Sequence, residues 1–379
     1  MHILLITRHY PPEISGGARR PFLYTQALRS LGHRVTTVTP FKTDDDDNIT
    51  ITNKAIARGI ETLHNGPSGH SQGATDPIKN ILRRWARWPD DNRPWARNVI
   101  HALKQTDLKP DWIMTTSPPE STHSVGAALS RHLDVPWIAE LRDTWIEHPH
   151  REILAQSKIR RAIEKRMAKT ILSSAKAITA VSETVMREAR LYAPPNIPEC
   201  IISHFSDPPP DPFAFNQDTL NFVHTGGFTL SDRRRNLAPL IEALEKVQTR
   251  RKNLVLHIAG PLSVDEIKLA KASTVTTELH GSVTLSQARA MQAGADALLL
   301  CTPENSHALP GKHAEYVASG KPILYLGGGD WLNLVESTHG LEPIATGALK
   351  IKKDRNTLPR EGLTHIEAAQ KLIEFLNAQ

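Results

Sequence analysis

Cysteine is nearly absent from this 379-residue chain, which has only Cys200 and Cys301. The two stand far apart in no metal-ligand spacing, which argues against a disulfide framework and against a structural zinc site. Long apolar runs are missing as well: no stretch reaches the 18 or more residues of a membrane-spanning helix. The opening Met1-His2-Ile3-Leu4-Leu5-Ile6-Thr7 is too short for a signal peptide and reads as a first strand, so a cytoplasmic location is expected. No G-x-G-x-x-G dinucleotide fingerprint follows that strand. A formal net charge of +6 points to an anionic partner, for which a nucleotide, an anionic lipid surface and nucleic acid all qualify. The basic residues are dispersed over both halves and form no nucleic-acid module, so a nucleic-acid partner is not expected.

The composition, 39% hydrophobic and 23% charged, is that of a globular protein, and the length suits two domains of roughly 150 to 200 residues. Apolar runs bounded by turn residues alternate with amphipathic stretches, the pattern of parallel βαβ units and hence of an α/β fold. Strands are expected at His2 to Thr7, Arg34 to Thr39, Trp112 to Thr116, Trp137 to Leu141 and Ala177 to Val181. A second series follows at Leu220 to His224, Leu254 to Ala259, Thr277 to His280, Ala297 to Cys301 and Pro322 to Leu326. A helix from Ala18 to Leu31 carries one broad apolar face, with Gly32 placed to end it. Prolines cluster at 194–212 as a stiff, extended linker. The expected division is therefore residues 1–200, residues 201–360, and a closing helix in 361–379 that packs back on the first domain. Residues 43–77 read as a long irregular surface excursion.

Three segments carry chemistry. Pro310-Gly311-Lys312-His313-Ala314-Glu315 reads as a turn entering a two-turn helix, which Gly320 stops. Backbone N–H groups at a helix start favour an anion, Lys312 adds a full charge, and Glu315 can accept two hydrogen bonds from a vicinal diol such as a ribose. Gly16-Gly17 after the first strand and Gly226-Gly227 after the first strand of the second half let backbone approach an anion closely. Arg233-Arg234-Arg235 crowd a helix entrance, where positive charge is unfavourable unless an anion sits there. Taken singly, each of these also reads as an ordinary glycine turn or solvated basic loop.

Taken together and in order, these segments resemble family 4 glycosyltransferases. In the first half the resemblance rests on Gly16-Gly17, Leu28 to Gly32-His33-Arg34-Val35, Thr116-Ser117-Pro118-Pro119 and Trp137 to Trp145. In the second half it rests on Gly226-Gly227, Arg235, Leu256 to Gly260, Gly281 and Pro310 to Pro322, so that nearly the whole chain is covered. The resemblance implies the GT-B fold, two Rossmann-like domains facing each other across a cleft, and a retaining transfer that needs no metal ion. It implies a nucleotide-sugar donor as substrate and a glycan or lipid-linked acceptor, with no resident cofactor. Carried over by position, Glu315 holds the ribose hydroxyls, Arg235 and Lys312 neutralise the diphosphate, and Gly227 and Gly311 belong to the donor site. Gly16 and Gly17 close on the same diphosphate from the other domain.

One position departs from the family pattern. The usual paired glutamates have seven residues between them, which puts His307 where the first is expected; a His cannot accept two hydrogen bonds as a carboxylate does. Donor-sugar choice is therefore tied to His307, with Glu304 as a displaced substitute. In the first half, Asp143 at a strand end can orient or deprotonate an acceptor hydroxyl, and His123 can hydrogen-bond the donor sugar. Arg83-Arg84-Trp85-Ala86-Arg87-Trp88 with Trp95 and Arg97, and the Lys/Arg-rich segment Lys158 to Lys169, suit an anionic inner-membrane surface. Bacterial surface-polysaccharide assembly is the expected setting. A nucleotide-sugar epimerase of the same fold and a non-catalytic nucleotide-sugar-binding protein remain open alternatives.

Overall fold

A computed structural model describes residues 1–13, 16–52, 90–147, 157–250, 253–304, 310–329, 332, 341–351 and 362–379. The chain forms two compact units, Met1–Ser203 with His365–Gln379, and His204–Thr364.

In the first unit, β1 (His2–Ile6), β2 (Arg34–Thr39), β3 (Asn48–Thr50), β4 (Trp112–Ser117), β5 (Trp137–Leu141), β6 (Ala177–Ala180) and β7 (Glu199–Ile201) make one parallel sheet in the order β3-β2-β1-β4-β5-β6-β7. Between the strands run α1 (Gly16–Ser30), α2 (Arg93–Leu103), α3 (Ser121–Leu133), α4 (Lys158–Leu172) and α5 (Glu183–Arg190). Helices cover both faces of such a sheet, so its central strands read as unbroken apolar runs; Ile3, Leu4, Leu5 and Ile6 of β1 are all buried. Helix α1 buries Leu23, Tyr24, Ala27 and Leu28. It ends where Gly32 takes a φ of +82° and His33 N donates to Leu28 O at 3.0 Å, a left-handed termination that glycine adopts without a Cβ clash.

The second unit repeats this plan. Its strands β8 (Leu220–Thr225), β9 (Leu254–Ala259), β10 (Thr276–Gly281), β11 (Ala297–Cys301), β12 (Ile323–Leu326) and β13 (Leu341–Pro343) are ordered β10-β9-β8-β11-β12-β13, again all parallel. The helices are α6 (Ala238–Gln248), α7 (Val264–Ala272), α8 (Leu285–Gly294), α9 (Lys312–Ser319) and α10 (Ile344–Lys350). Ser263 with Glu266 and Thr284 with Gln287 form capping boxes that start α7 and α8, satisfying N–H groups no helix can satisfy internally. One sheet face packs Phe222, Leu256, Ile258 and Leu299. The other packs Val223, Ala259, Leu298 and Leu300 against Met291 and Tyr316. The closing helix, α11 (His365–Asn377), returns to the first unit and packs against α1.

Both units have the doubly wound order in which the chain reverses direction beside the first strand, β1 next to β4 and β8 next to β11. Ligands of open parallel sheets bind beyond the carboxyl ends of the strands at that reversal.

Three elements depart from the sequence expectation. Asn48–Thr50 lies within the supposed irregular excursion yet pairs with β2, while residues 53–77 fall outside the described residues. Glu199–Ile201 lies within the proline cluster yet pairs with β6. Residues 204–212 of that cluster belong to the second unit, where Arg289 Nη1 lies 2.7 Å from Asp207 Oδ2. Trp95, expected at a membrane surface, is fully buried and its indole donates to Ile51 O at 2.6 Å. The segment 83–88 lies outside the described residues.

Candidate active site

At the carboxyl end of β8 the chain turns through Gly226, whose φ is +111°. A side chain there would be strained by the backbone and would collide with the Lys312 ammonium. Gly260 packs so tightly on Gly226 that a Cβ would strike its backbone, and Gly226 N donates to Ala259 O at 2.7 Å. Gly227 is buried, with Pro261 O 2.8 Å from where a Cβ would lie. The turn thus brings main chain to the end of the sheet with no side chain in the way.

Lys312, half-buried at the start of α9, reaches across to donate to Thr225 O. Of the three consecutive arginines, Arg233 is exposed and Arg234 pairs with Asp232 at 2.8 Å. Arg235 is half-buried and turned inward, its Nε buried without a partner among the described residues. Burial first, and then the Arg235 charge, pull the Lys312 ammonium down to about 8, outweighing attraction by Glu315. Two cations that repel one another form a site whose electrostatics an anion would relieve.

Glu315 follows Lys312 by one helical turn and is held by a residue that no sequence motif marks. Gln292 on α8, fully buried, donates from Nε2 to Glu315 Oε2 at 3.2 Å and to Thr225 Oγ1 at 3.0 Å. The Tyr316 hydroxyl, also buried, accepts from Thr225 N at 3.2 Å and lies 3.4 Å from Leu299 O. Beneath them His224 donates from Nδ1 to Leu299 O at 2.8 Å and stacks on Phe228 with ring centroids 4.4 Å apart. Burial, reinforced by Lys312, lowers the His224 pKa to about 3, so the ring is neutral. Burial raises the Cys301 thiol to about 12, which removes it as a nucleophile. Gly311 is exposed at the entrance of α9, Glu304 is exposed, and His307 lies outside the described residues.

The first unit has its own cluster, organised by Arg142. This buried guanidinium donates to Ser117 O at 2.8 Å, Gly17 O at 2.6 Å and Pro118 O at 3.1 Å. It thereby ties the start of α1 to the end of β4. Gly17 lies against His9, so that a side chain at this position would meet the His9 ring; Gly16 is exposed and open on that side. Asp143 is half-exposed beside Arg142. His123 is fully buried near the Trp137 and Trp145 rings, its Nδ1 2.8 Å from Thr115 Oγ1 and its Nε2 without a partner among the described residues. Burial, and then Arg142, lower its pKa to about 3. His123 is thus available as a neutral hydrogen-bonding ring and not as a proton donor near neutral pH. A buried pair of Arg20 and Glu140 at 2.8 Å also ties the amino end of α1 to β5 and, through Ile202 O and Ser203 O, to the end of the unit. Sequence spacing revealed no role for Arg20 or Glu140, because they meet across 120 residues.

The structure therefore assembles Gly227, Arg235, Lys312 and Glu315 around the end of β8, and Gly17, His123 and Asp143 around Arg142. The first set offers two fixed cations, close-approach backbone and a carboxylate, the chemistry of a phosphorylated diol.

Residues 15–203 match the model of the glycosyl transferase 4-like domain. No curated protein sequence matches the chain. Among solved structures, Anabaena HepE in complex with UDP and glucose is similar over 100% of both chains, with 14% identity and a TM-score of 0.59. Sucrose-phosphate synthase from Thermosynechococcus elongatus is similar over 100% of this chain and 94% of its own, with 16% identity and a TM-score of 0.61. The UDP-GlcNAc 2-epimerase of Methanocaldococcus jannaschii shares the fold over 100% of this chain and 99% of its own, at 12% identity and a TM-score of 0.53. These likenesses agree with the two parallel sheets in assigning an α/β fold of the GT-B type. The chain belongs to the glycosyl transferase 4-like family and is a glycosyltransferase.

Proposed function

We propose that the protein transfers a sugar, with retention of anomeric configuration, from a nucleotide-sugar to a hydroxyl of a glycan or lipid-linked acceptor in cell-surface polysaccharide synthesis. The observation that carries this reading is the inward-facing pair of Arg235 and Lys312 beside Gly226-Gly227, one helical turn from Glu315. Cleaving a sugar from a nucleoside diphosphate builds negative charge on phosphate and positive charge on the sugar ring. Fixed cations at the diphosphate stabilise that charge where other enzymes use a metal ion, so transfer needs none. Glu315 accepts from the ribose hydroxyls, with its orientation set by Gln292. UDP in the HepE complex makes UDP-sugars the first donors to try.

In the first unit, Asp143 orients the acceptor hydroxyl and His123 hydrogen-bonds the donor sugar as a neutral ring. Gly16 and Gly17 approach the diphosphate, and His307 sets donor choice. A lipid-linked acceptor fits α4, where Ile159 is 69% exposed and Ile163 42% exposed among Lys158, Arg161, Lys165, Arg166 and Lys169. Such a basic, apolar face rests on an anionic inner leaflet. Among the described residues no helix is long and apolar enough to cross a membrane.

The test is to offer a panel of nucleotide-sugars with and without glycan and lipid-linked acceptors, then to determine the anomeric configuration of the product. Acceptor-dependent release of nucleoside diphosphate with retained configuration is expected. The epimerase fold likeness supplies the rival reading, which predicts sugar epimerisation with no acceptor at all.

A further inference from the structure

The outer strand pair of the second sheet gathers three metal-binding side chains. β9 and β10 pair in parallel with Glu278 opposite His257, and residues two apart on a strand share a face, so His280 joins them. His257 Nδ1 lies 3.2 Å from His280 Nε2 and 3.2 Å from Glu278 Oε2, and that oxygen is 4.0 Å from His280 Nε2. A tetrahedral ion held at about 2.0–2.2 Å separates its ligand atoms by about 3.3–3.6 Å. The cluster already brackets that spacing.

The His257 ring is fixed from behind. Asn221 donates from Nδ2 to Asn216 O at 2.9 Å and Thr219 O at 3.1 Å, which leaves Oδ1 to accept from His257 Nε2 at 3.1 Å. With its proton on Nε2, a neutral imidazole presents a lone pair at Nδ1. That lone pair faces the Glu278 carboxylate, an acceptor facing an acceptor, which a cation between them would relieve. Metal-binding histidines characteristically have such an outer partner on the other ring nitrogen. Asn221 is itself anchored, its backbone N donating to Asp296 Oδ2 at 2.8 Å. Phe215 lies 4.4 Å from the His257 ring and Phe213 lies 6.4 Å from His280, so one side of the cluster is aromatic. Glu278, 58% exposed, leaves the other side open to water.

We propose that His257 Nδ1, His280 Nε2 and Glu278 Oε2 bind one divalent transition-metal ion, with zinc the best match to two imidazoles and one carboxylate. Water completes the coordination, and the ion fastens the edge strand β10 to β9. None of its ligands belongs to the donor set, so the ion takes no part in sugar transfer. Sequence spacing concealed the site, because one ligand comes from each of two β10 positions and the third from the neighbouring strand.

The test uses the full chain, stripped with a chelator and titrated with cobalt, followed by visible absorption and then by displacement with zinc. One equivalent of four-coordinate cobalt is expected, together with a zinc-dependent rise in the thermal unfolding midpoint. Glu278→Gln and His280→Ala, both at solvent-accessible positions, should each weaken zinc binding by roughly tenfold or more. No cobalt spectrum in the unaltered chain, or undiminished binding in either variant, overturns the site. UDP binding measured on the same preparations is expected to be equal with and without zinc; a change overturns the ion's separation from transfer. Loss of UDP binding regardless of metal would count against the donor reading alone.

Discussion

Gln292 Nε2 stands 3.2 Å from Glu315 Oε2, and its other proton is directed at Thr225 Oγ1, 3.0 Å away. A buried amide thus sets the orientation of the carboxylate assigned to the ribose. Gln292→Leu should keep the volume but remove both bonds, leaving Thr225 and Glu315 each short of a donor. The loss of a hydrogen bond to a charged group is worth about 1.5–3 kcal/mol. KM for the donor should therefore rise roughly tenfold or more, with a smaller change in kcat. An unchanged donor KM would remove Gln292 from the site.

Lys312 links stability to activity with opposite signs. Its folded-state pKa, about 8, lies below the ordinary 10.5 because of burial and then Arg235. Between those values the unfolded chain holds a proton the folded chain lacks, so stability rises with pH through that window and folding at pH 7 bears the cost of the charge. Lys312→Met should raise the thermal midpoint at pH 7, lose that gain above about pH 10.5, and abolish most transfer. A variant that is both less stable at pH 7 and fully active would refute the assigned role.

The same shift predicts the pH dependence of donor binding. Above about pH 8 the free protein loses the Lys312 proton that a diphosphate requires, so affinity for UDP should fall by up to tenfold per pH unit. Lys312→Arg should flatten that decline, since guanidinium stays charged. Calorimetric titrations between about pH 7 and 9, about one unit either side of that value, distinguish the two curves.

Acid should destabilise both units. His123 and His224 are held neutral down to about 3. Below about pH 6.5 the unfolded chain takes up these protons and the folded chain does not, so stability is lost as pH falls from there towards 3. Each histidine contributes up to a tenfold change in the unfolding equilibrium per pH unit. Urea unfolding compared at neutral and mildly acidic pH should show this loss, and His224→Phe should lessen it for the second unit. Equal acid sensitivity in that variant would exclude His224 as a source.

The central strands and the two-unit plan are legible in the sequence because parallel strands buried on both faces must be apolar runs. The short edge strands β3, β7 and β13 are not, since three residues hold no period and their pairing is made by backbone. Segments beginning at Gly226 and Lys312 stand out because glycine and charge are read one residue at a time. The family resemblance singles out Arg235 among three arginines, and the fold supplies the physical reason, since it turns Arg234 onto Asp232 and Arg235 inward. Gln292, Tyr316 and the Arg20–Glu140 pair were invisible because their meaning lies in partners brought from distant segments.

Titration calorimetry of UDP into the unaltered protein, Lys312→Ala and Glu315→Ala most directly tests whether the second unit holds the donor nucleotide. The unaltered chain should bind one equivalent. Each variant should bind at least about tenfold more weakly, as expected for loss of a charge-assisted contact, while keeping a folded-state spectrum. Equal affinity across all three proteins would contradict the assignment.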